Sequence, residues 1–98
     1  MKNQNKKFEN IYEVMQAHPI WFSPDTMEFF ASKVESELIN GMYFVSSEKT
    51  GFRETRRAFS VRSATEDGIH TVGGFQRFKT KRSALSYIDG LVESAEVQ

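Results

Sequence analysis

Between Arg56 and Leu91 the sequence lays down a strand, a turn, a second strand and a capped helix. Phe59 and Val61 alternate with Ser60 and Arg62, the period-two pattern of a strand with one dry and one wet face. Asp67-Gly68 signals a hairpin, because a type I′ turn needs positive φ at both central residues. With those two as the turn, Glu66 lies opposite Ile69, Ala64 faces Thr71 and Ser63 faces Val72. That register puts Phe59, Val61 and Val72 on one face and Arg62 on the other. Gly73-Gly74 then interrupts the second strand, as at a bulge or a close backbone approach. A one-residue bulge would bring Phe75 onto the face of Val72. Thr80 caps a helix whose Ala84, Leu85, Ile88, Leu91 and Val92 form one apolar stripe, fit to pack across the sheet. Gly90 sits within it at a cost of about 1 kcal/mol against Ala.

Upstream, Phe8, Ile11, Tyr12 and Met15 follow helical spacing and predict a helix over residues 7–17, ended by His18-Pro19. Ile20-Trp21-Phe22 reads as a short apolar link that plugs the core; the alternative for Trp21 is an exposed recognition residue, but a lone Trp beside Phe is more often packed. Ser23-Pro24-Asp25 starts a second helix: Ser23 caps, Pro24 suits the first position and Asp25 complements the positive end. Met27, Phe30 and Ala31 would face inward. Residues 33–39 admit two readings. Either Val34 and Leu38 continue that helix to a cap at Asn40-Gly41, or the helix ends near Ser32, Val34, Ser36 and Leu38 alternate along a strand, and Asn40-Gly41 turns a second hairpin into Met42–Glu48, with Tyr43-Phe44-Val45 its strongest strand formers. In the hairpin register Leu38 faces Tyr43 and Ser36 faces Val45, while propensity by itself favours the helix. Glu48–Thr55 reads as a polar loop.

Several chemistries are missing from the chain. With no Cys, thiolate metal sites, disulfides and Cys nucleophiles are excluded. No apolar run reaches the roughly 20 residues of a membrane span, and the start of the chain lacks the apolar stretch of a secretory signal. His18 and His70 have no metal-ligand spacing and read as structural. No phosphate-binding glycine loop and no G-x-S-x-G or S-x-x-K serine motif appears. Glu35 and Glu37 read as a solvated acidic edge. The expectation is a cytoplasmic protein that is not an enzyme and carries no cofactor or metal.

Charge is zero overall but unevenly placed. Residues 9–48 hold seven acids and one base, and residues 49–82 nine bases and three acids. Those bases interleave with Phe52, Phe59, Phe75 and Phe78, so a basic binding surface is expected at Arg56, Arg62, Arg77, Lys79, Lys81 and Arg82. Lys81 and Arg82 stand in the first turn of the last helix, either merely solvated or part of an anion site with the free N–H groups there.

Ser23-Pro24-Asp25-Thr26-Met27, Tyr43-Phe44-Val45-Ser46-Ser47-Glu48, Phe59-Ser60-Val61-Arg62 and Thr71-Val72-Gly73 are also the pieces in which the chain resembles a family of small uncharacterised proteins from phages, plasmids and integrated elements. Similar sequences are richer in turn and β-branched residues after the position of Phe30, and the resemblance therefore implies the Asn40-Gly41 hairpin. It implies no activity and no site residue. It does imply action by binding, as accessory proteins of mobile elements often act.

The expected architecture is α+β: an antiparallel sheet of three to four strands, with hairpins at Asn40-Gly41 and Asp67-Gly68, packed by a C-terminal helix and one or two N-terminal helices. A disordered tail over 1–7, one domain over 8–93 and a frayed end over 94–98 complete it. The expected function is a non-enzymatic protein-binding module, by a protein partner or self-association. The alternatives are nucleic-acid binding through a basic sheet face and small-molecule sequestration.

Overall fold

The alternating segments resolve, in a computed structural model of the chain, into one antiparallel sheet with helices on both sides. The structure describes residues 7–29, 31–50 and 56–97, with side chains to 94. The expected mobile tail before Lys7, the inward Phe30, and Phe52 and Arg53 of the polar loop lie outside the described residues. The elements are α1 (Ile11–Ala17), α2 (Pro24–Phe29), β1 (Lys33–Val34), β2 (Tyr43–Lys49), β3 (Arg57–Thr65), β4 (Gly68–Val72) and α3 (Lys81–Val97), and the strands lie in the order β1-β2-β3-β4. The α+β class, the four strands and the packed C-terminal helix agree with the sequence.

Caps set the helix starts. Helix α1 begins at Ile11 rather than at residue 7, because Asn10 caps it: Asn10 Oδ1 accepts the Glu13 N–H at 3.0 Å. Ser23 Oγ accepts the Thr26 N–H ahead of α2, and Thr80 Oγ1 accepts the Ser83 N–H at the start of α3, both as the sequence implies. Helix α2 stops at Phe29, and Ala31 takes a positive φ of 50°. Of residues 33–39 only Lys33 and Val34 form strand, so the helical continuation is excluded.

Both hairpin registers differ from expectation. Asn40 and Gly41 do take the paired positive φ values, 55° and 70°. Tyr43 nevertheless pairs with Ile39 rather than with Leu38, because Met42 joins the connection. The Glu35 N–H still donates to the Val45 carbonyl at 2.8 Å, residues 36–38 then leave the ladder, and Ser36 Oγ takes the Val45 N–H at 2.9 Å. At the other hairpin Thr65 pairs with Gly68, so Glu66 and Asp67 form the turn and neither has positive φ. That slip is of two residues, and side chains alternate with period two, so every residue keeps its face. Phe59, Val61 and Val72 share one face, opposite Arg62, as expected.

That first face meets α3. Val45, Val61, Ala84 and Ile88 are wholly buried there, with Phe59, Tyr43, Phe78 and Tyr87 around them. Full burial of each Val or Ile stabilises by roughly 1.5–3 kcal/mol. Phe75 is not among them. Gly73 and Gly74, at φ 81° and 119°, end β4 and send Phe75 to the opposite side, beside Arg62. The chain then returns to β3, where Phe59 and Phe78 exchange both backbone bonds.

The expected wet face of β3 is the largest correction. Ala58, Ser60, Arg62 and Ala64 are all buried. Phe8, Val14 and Ala64 form a second core cluster with Ile11, Phe22, Leu38 and Ile69. Helix α1 and the link after it cover this side, and the sheet is packed on both faces.

Candidate binding surface

On that second face, antiparallel pairing of Phe44 with Arg62 and of Ser46 with Ser60 sets Ser46, Glu48, Ser60 and Arg62 side by side. Glu48, read from sequence as the start of a loop, is a buried residue of β2. Arg62 Nη2 donates to Glu48 Oε2 at 2.9 Å, and Arg62 Nε donates to Ser46 Oγ at 2.9 Å. The Ser46 hydroxyl donates on to Glu48 Oε2 at 2.8 Å, and the Ser60 hydroxyl to Glu48 Oε1 at 3.1 Å. Arg62 Nη1 also donates to Thr71 Oγ1. Burying two charges costs several kcal/mol per ion, and the cost is offset only when geometry and hydrogen bonding are complete. Here they are: among the described residues no buried side-chain nitrogen or oxygen lacks a partner.

Aromatic rings close over this pair. Trp21 lies edge-on to Phe22 and Phe44, at centroid distances of 4.6 and 5.9 Å. The Arg62 guanidinium carbon stands 5.3 Å from the Trp21 ring and 5.4 Å from that of Phe75. Between them opens a hollow of about 250 Å³, walled by Trp21, Met27, Arg62 and Phe75. A second hollow of about 400 Å³ adjoins it, walled by Pro19, Ile20, Trp21 and Ile69, and the two share Trp21 and Thr26. Ile20 is 82% exposed and Phe75 52% exposed at their rims. Only Trp21 and Phe22 of the link therefore plug the core, and Ile20 points outward.

The six basic residues expected to form one surface are dispersed. Arg62 is the buried partner of Glu48. Arg77 lies over Phe78 and Tyr87, 5.4 and 5.0 Å from their centroids, and donates to the Gly73 carbonyl. Lys81 joins Glu9, Glu35 and Glu37 along an open groove beside α1. Arg82 is exposed in the first turn of α3. Only Arg56 and Lys79 converge, with Arg57, around a hollow of about 420 Å³ at the start of β3. Arg57 is itself committed: its Nε donates to Ser47 Oγ at 2.7 Å, and the Ser47 hydroxyl donates to Glu35 at 2.6 Å.

Glu48 was missed as the buried partner of Arg62, and Ile20 and Phe75 as members of the surface around Trp21. The signal for the first lies in register: once Phe44 faces Arg62, Glu48 and Arg62 share a face one strand apart. His18 and His70 meet at Thr65: His18 Nε2 donates to the Thr65 carbonyl at 2.6 Å, and His70 Nε2 lies 3.2 Å from Thr65 Oγ1. Among the described residues no cluster of three His, Asp or Glu could hold a metal, and no helix is long and apolar enough to cross a membrane.

Residues 6–88 match DUF7447, a family of unknown function. No curated protein and no solved structure matches the chain.

Proposed function

We propose that this protein, which belongs to the DUF7447 family, is a protein-binding module that seats its partner on the surface around Trp21. The observation that carries the reading is the pair of exposed apolar side chains, Ile20 and Phe75, at the rims of two adjoining hollows with Trp21 between them. Interfaces concentrate their binding energy in aromatic and arginine anchors set in apolar surroundings. Trp21 is already held by Phe22, Phe44 and Arg62, so little ordering entropy is lost on docking. A non-enzymatic, cytoplasmic role belongs to the same reading, and action as accessory to a mobile element rests on the resemblance of its sequence pieces. A photo-crosslinking residue placed at Ile20 tests it in cells that carry the gene. A protein adduct is expected from position 20 and none from Lys79. No adduct from position 20 overturns the reading.

Nucleic-acid binding has a narrower basis than a basic sheet face, because both faces are packed. The specific observation in its favour is the convergence of Arg56, Arg57 and Lys79. Binding to a duplex or single-stranded oligonucleotide at low salt, weakened as salt rises and by Lys79→Glu, supports it. No binding at low salt sinks it.

A further inference from the structure

We propose that β4 is the seam of a symmetric dimer, in which the partner seated beside Trp21 is a second copy of this chain. The inference rests on the protein-binding reading above and names its partner.

The sheet has two edges, and the chain treats them differently. Strand β1 is two residues long, carries Lys33 and is followed by Glu35, and shortness and charge are how proteins blunt an edge. Strand β4, Gly-Ile-His-Thr-Val, has five residues, three of them β-branched, with no Lys, Arg, Asp, Glu or Pro. Natural edges of that kind pair unless something guards them.

The register shows which groups are offered. Ala64 donates its N–H to Met42 on the β2 side, so Ile69, opposite Ala64, exchanges no backbone bond with β3. Thr71, two residues on, is placed likewise. The N–H and C=O groups of both therefore point outward, and among the described residues none outside β3 pairs with β4. His70 and Thr71 are exposed.

Two copies of this edge complement each other. Run antiparallel, Ile69 of one meets Thr71 of the other, with the two-fold axis at His70, and four backbone bonds join two four-stranded sheets. Ile69 and Thr71 project to the face of Arg62. On that face the Ile20 hollow lies at the Ile69 end of β4, and Phe75 lies beside Arg62, which faces Thr71. The two-fold turns one end toward the other. It sets Ile20 of each copy across the seam from Phe75 of its mate, so one interface covers two of the four large hydrophobics exposed among the described residues, Tyr12 and Phe29 lying outside it. Such an interface is isologous and closes on itself.

Sedimentation of the purified chain tests this, with a species of twice the chain mass expected. Thr71→Pro removes an outward N–H that β3 does not use, together with the Oγ1 that accepts from Arg62, and Pro is tolerated on edge strands; Thr71→Val, which loses the hydroxyl alone, is expected to leave the dimer intact. Ile20→Asp places a charge in the hollow without touching the ladder. Thr71→Pro and Ile20→Asp are each expected to weaken dimerisation at least tenfold with unchanged far-ultraviolet circular dichroism, and Lys79→Glu to leave it intact. Should Thr71→Pro unfold the chain, Ile20→Asp decides alone. A wild-type chain that stays monomeric at high concentration overturns the proposal, as does a dimer that survives Ile20→Asp. A monomer that still crosslinks from position 20 to a different protein overturns the seam and leaves the binding reading standing.

Discussion

Glu48 Oε2 lies 2.9 Å from Arg62 Nη2, and the two side chains are 1% and 9% exposed. An ion pair so deep in a small sheet ties two central strands to the link above them, because the same guanidinium contacts Trp21 and Phe75.

The pair is expected to act as a unit. Glu48→Leu or Arg62→Leu alone should cost about 3–5 kcal/mol, since each leaves a buried charge without its partner. The double variant should lose clearly less than the sum of the two, because neither charge remains. Urea unfolding of the four species measures this, and additive losses would show that the two charges are uncoupled.

Gly73 should not tolerate a side chain. Its φ is 81°, and an added Cβ would fall 2.9 Å from Tyr87 Oη and 3.0 Å from Arg77 Nη1. Gly73→Ala is expected to destabilise by about 1–3 kcal/mol. A Tyr87→Leu background should return the steric part of that loss and leave the backbone part, read from thermal midpoints.

Gly90 is the opposite case. It lies within α3, and nothing stands within 4 Å of an added Cβ. Gly90→Ala should stabilise by roughly 0.5–1 kcal/mol through the entropy of the unfolded chain. A lowered urea midpoint would contradict this.

Phe75 separates binding from folding. It is half exposed, and its contact with Arg62 is worth on the order of 1 kcal/mol. Phe75→Ala should therefore lower stability by about 1 kcal/mol at most while weakening dimerisation at least tenfold. Paired denaturation and sedimentation measurements check it, and an unchanged dimer would remove Phe75 from the interface.

Much of the fold was legible because its signals are local. Ser23 and Thr80 cap the helices that follow them, Asn40-Gly41 supplies the positive φ values of a turn, and alternation divides Val61 from Arg62. Asn10 was equally local and went unread beneath the apolar spacing of Phe8 and Ile11. Phe75 was misassigned because two glycines permit several exits from a strand, and only the return of Phe78 to Phe59 selects one.

The candidate site was hardly legible, since each part depends on a partner distant in sequence. Glu48 looked like a loop residue until β3 lay beside it, and Arg62 looked solvated until Trp21 and Phe75 covered it. Outside residues 33–39, which it left open between helix and strand, the sequence by itself determined which segments are strand or helix and which residues of β3 share a face, because backbone dihedrals and a period of two are properties of neighbouring residues. Tertiary structure alone decided that the second face is buried, that six cations are dispersed, and that Ile20 and Phe75 remain in solvent. Those outcomes depend on which elements stack over the sheet, and desolvation acts on a charge only once another part of the chain has taken its water away.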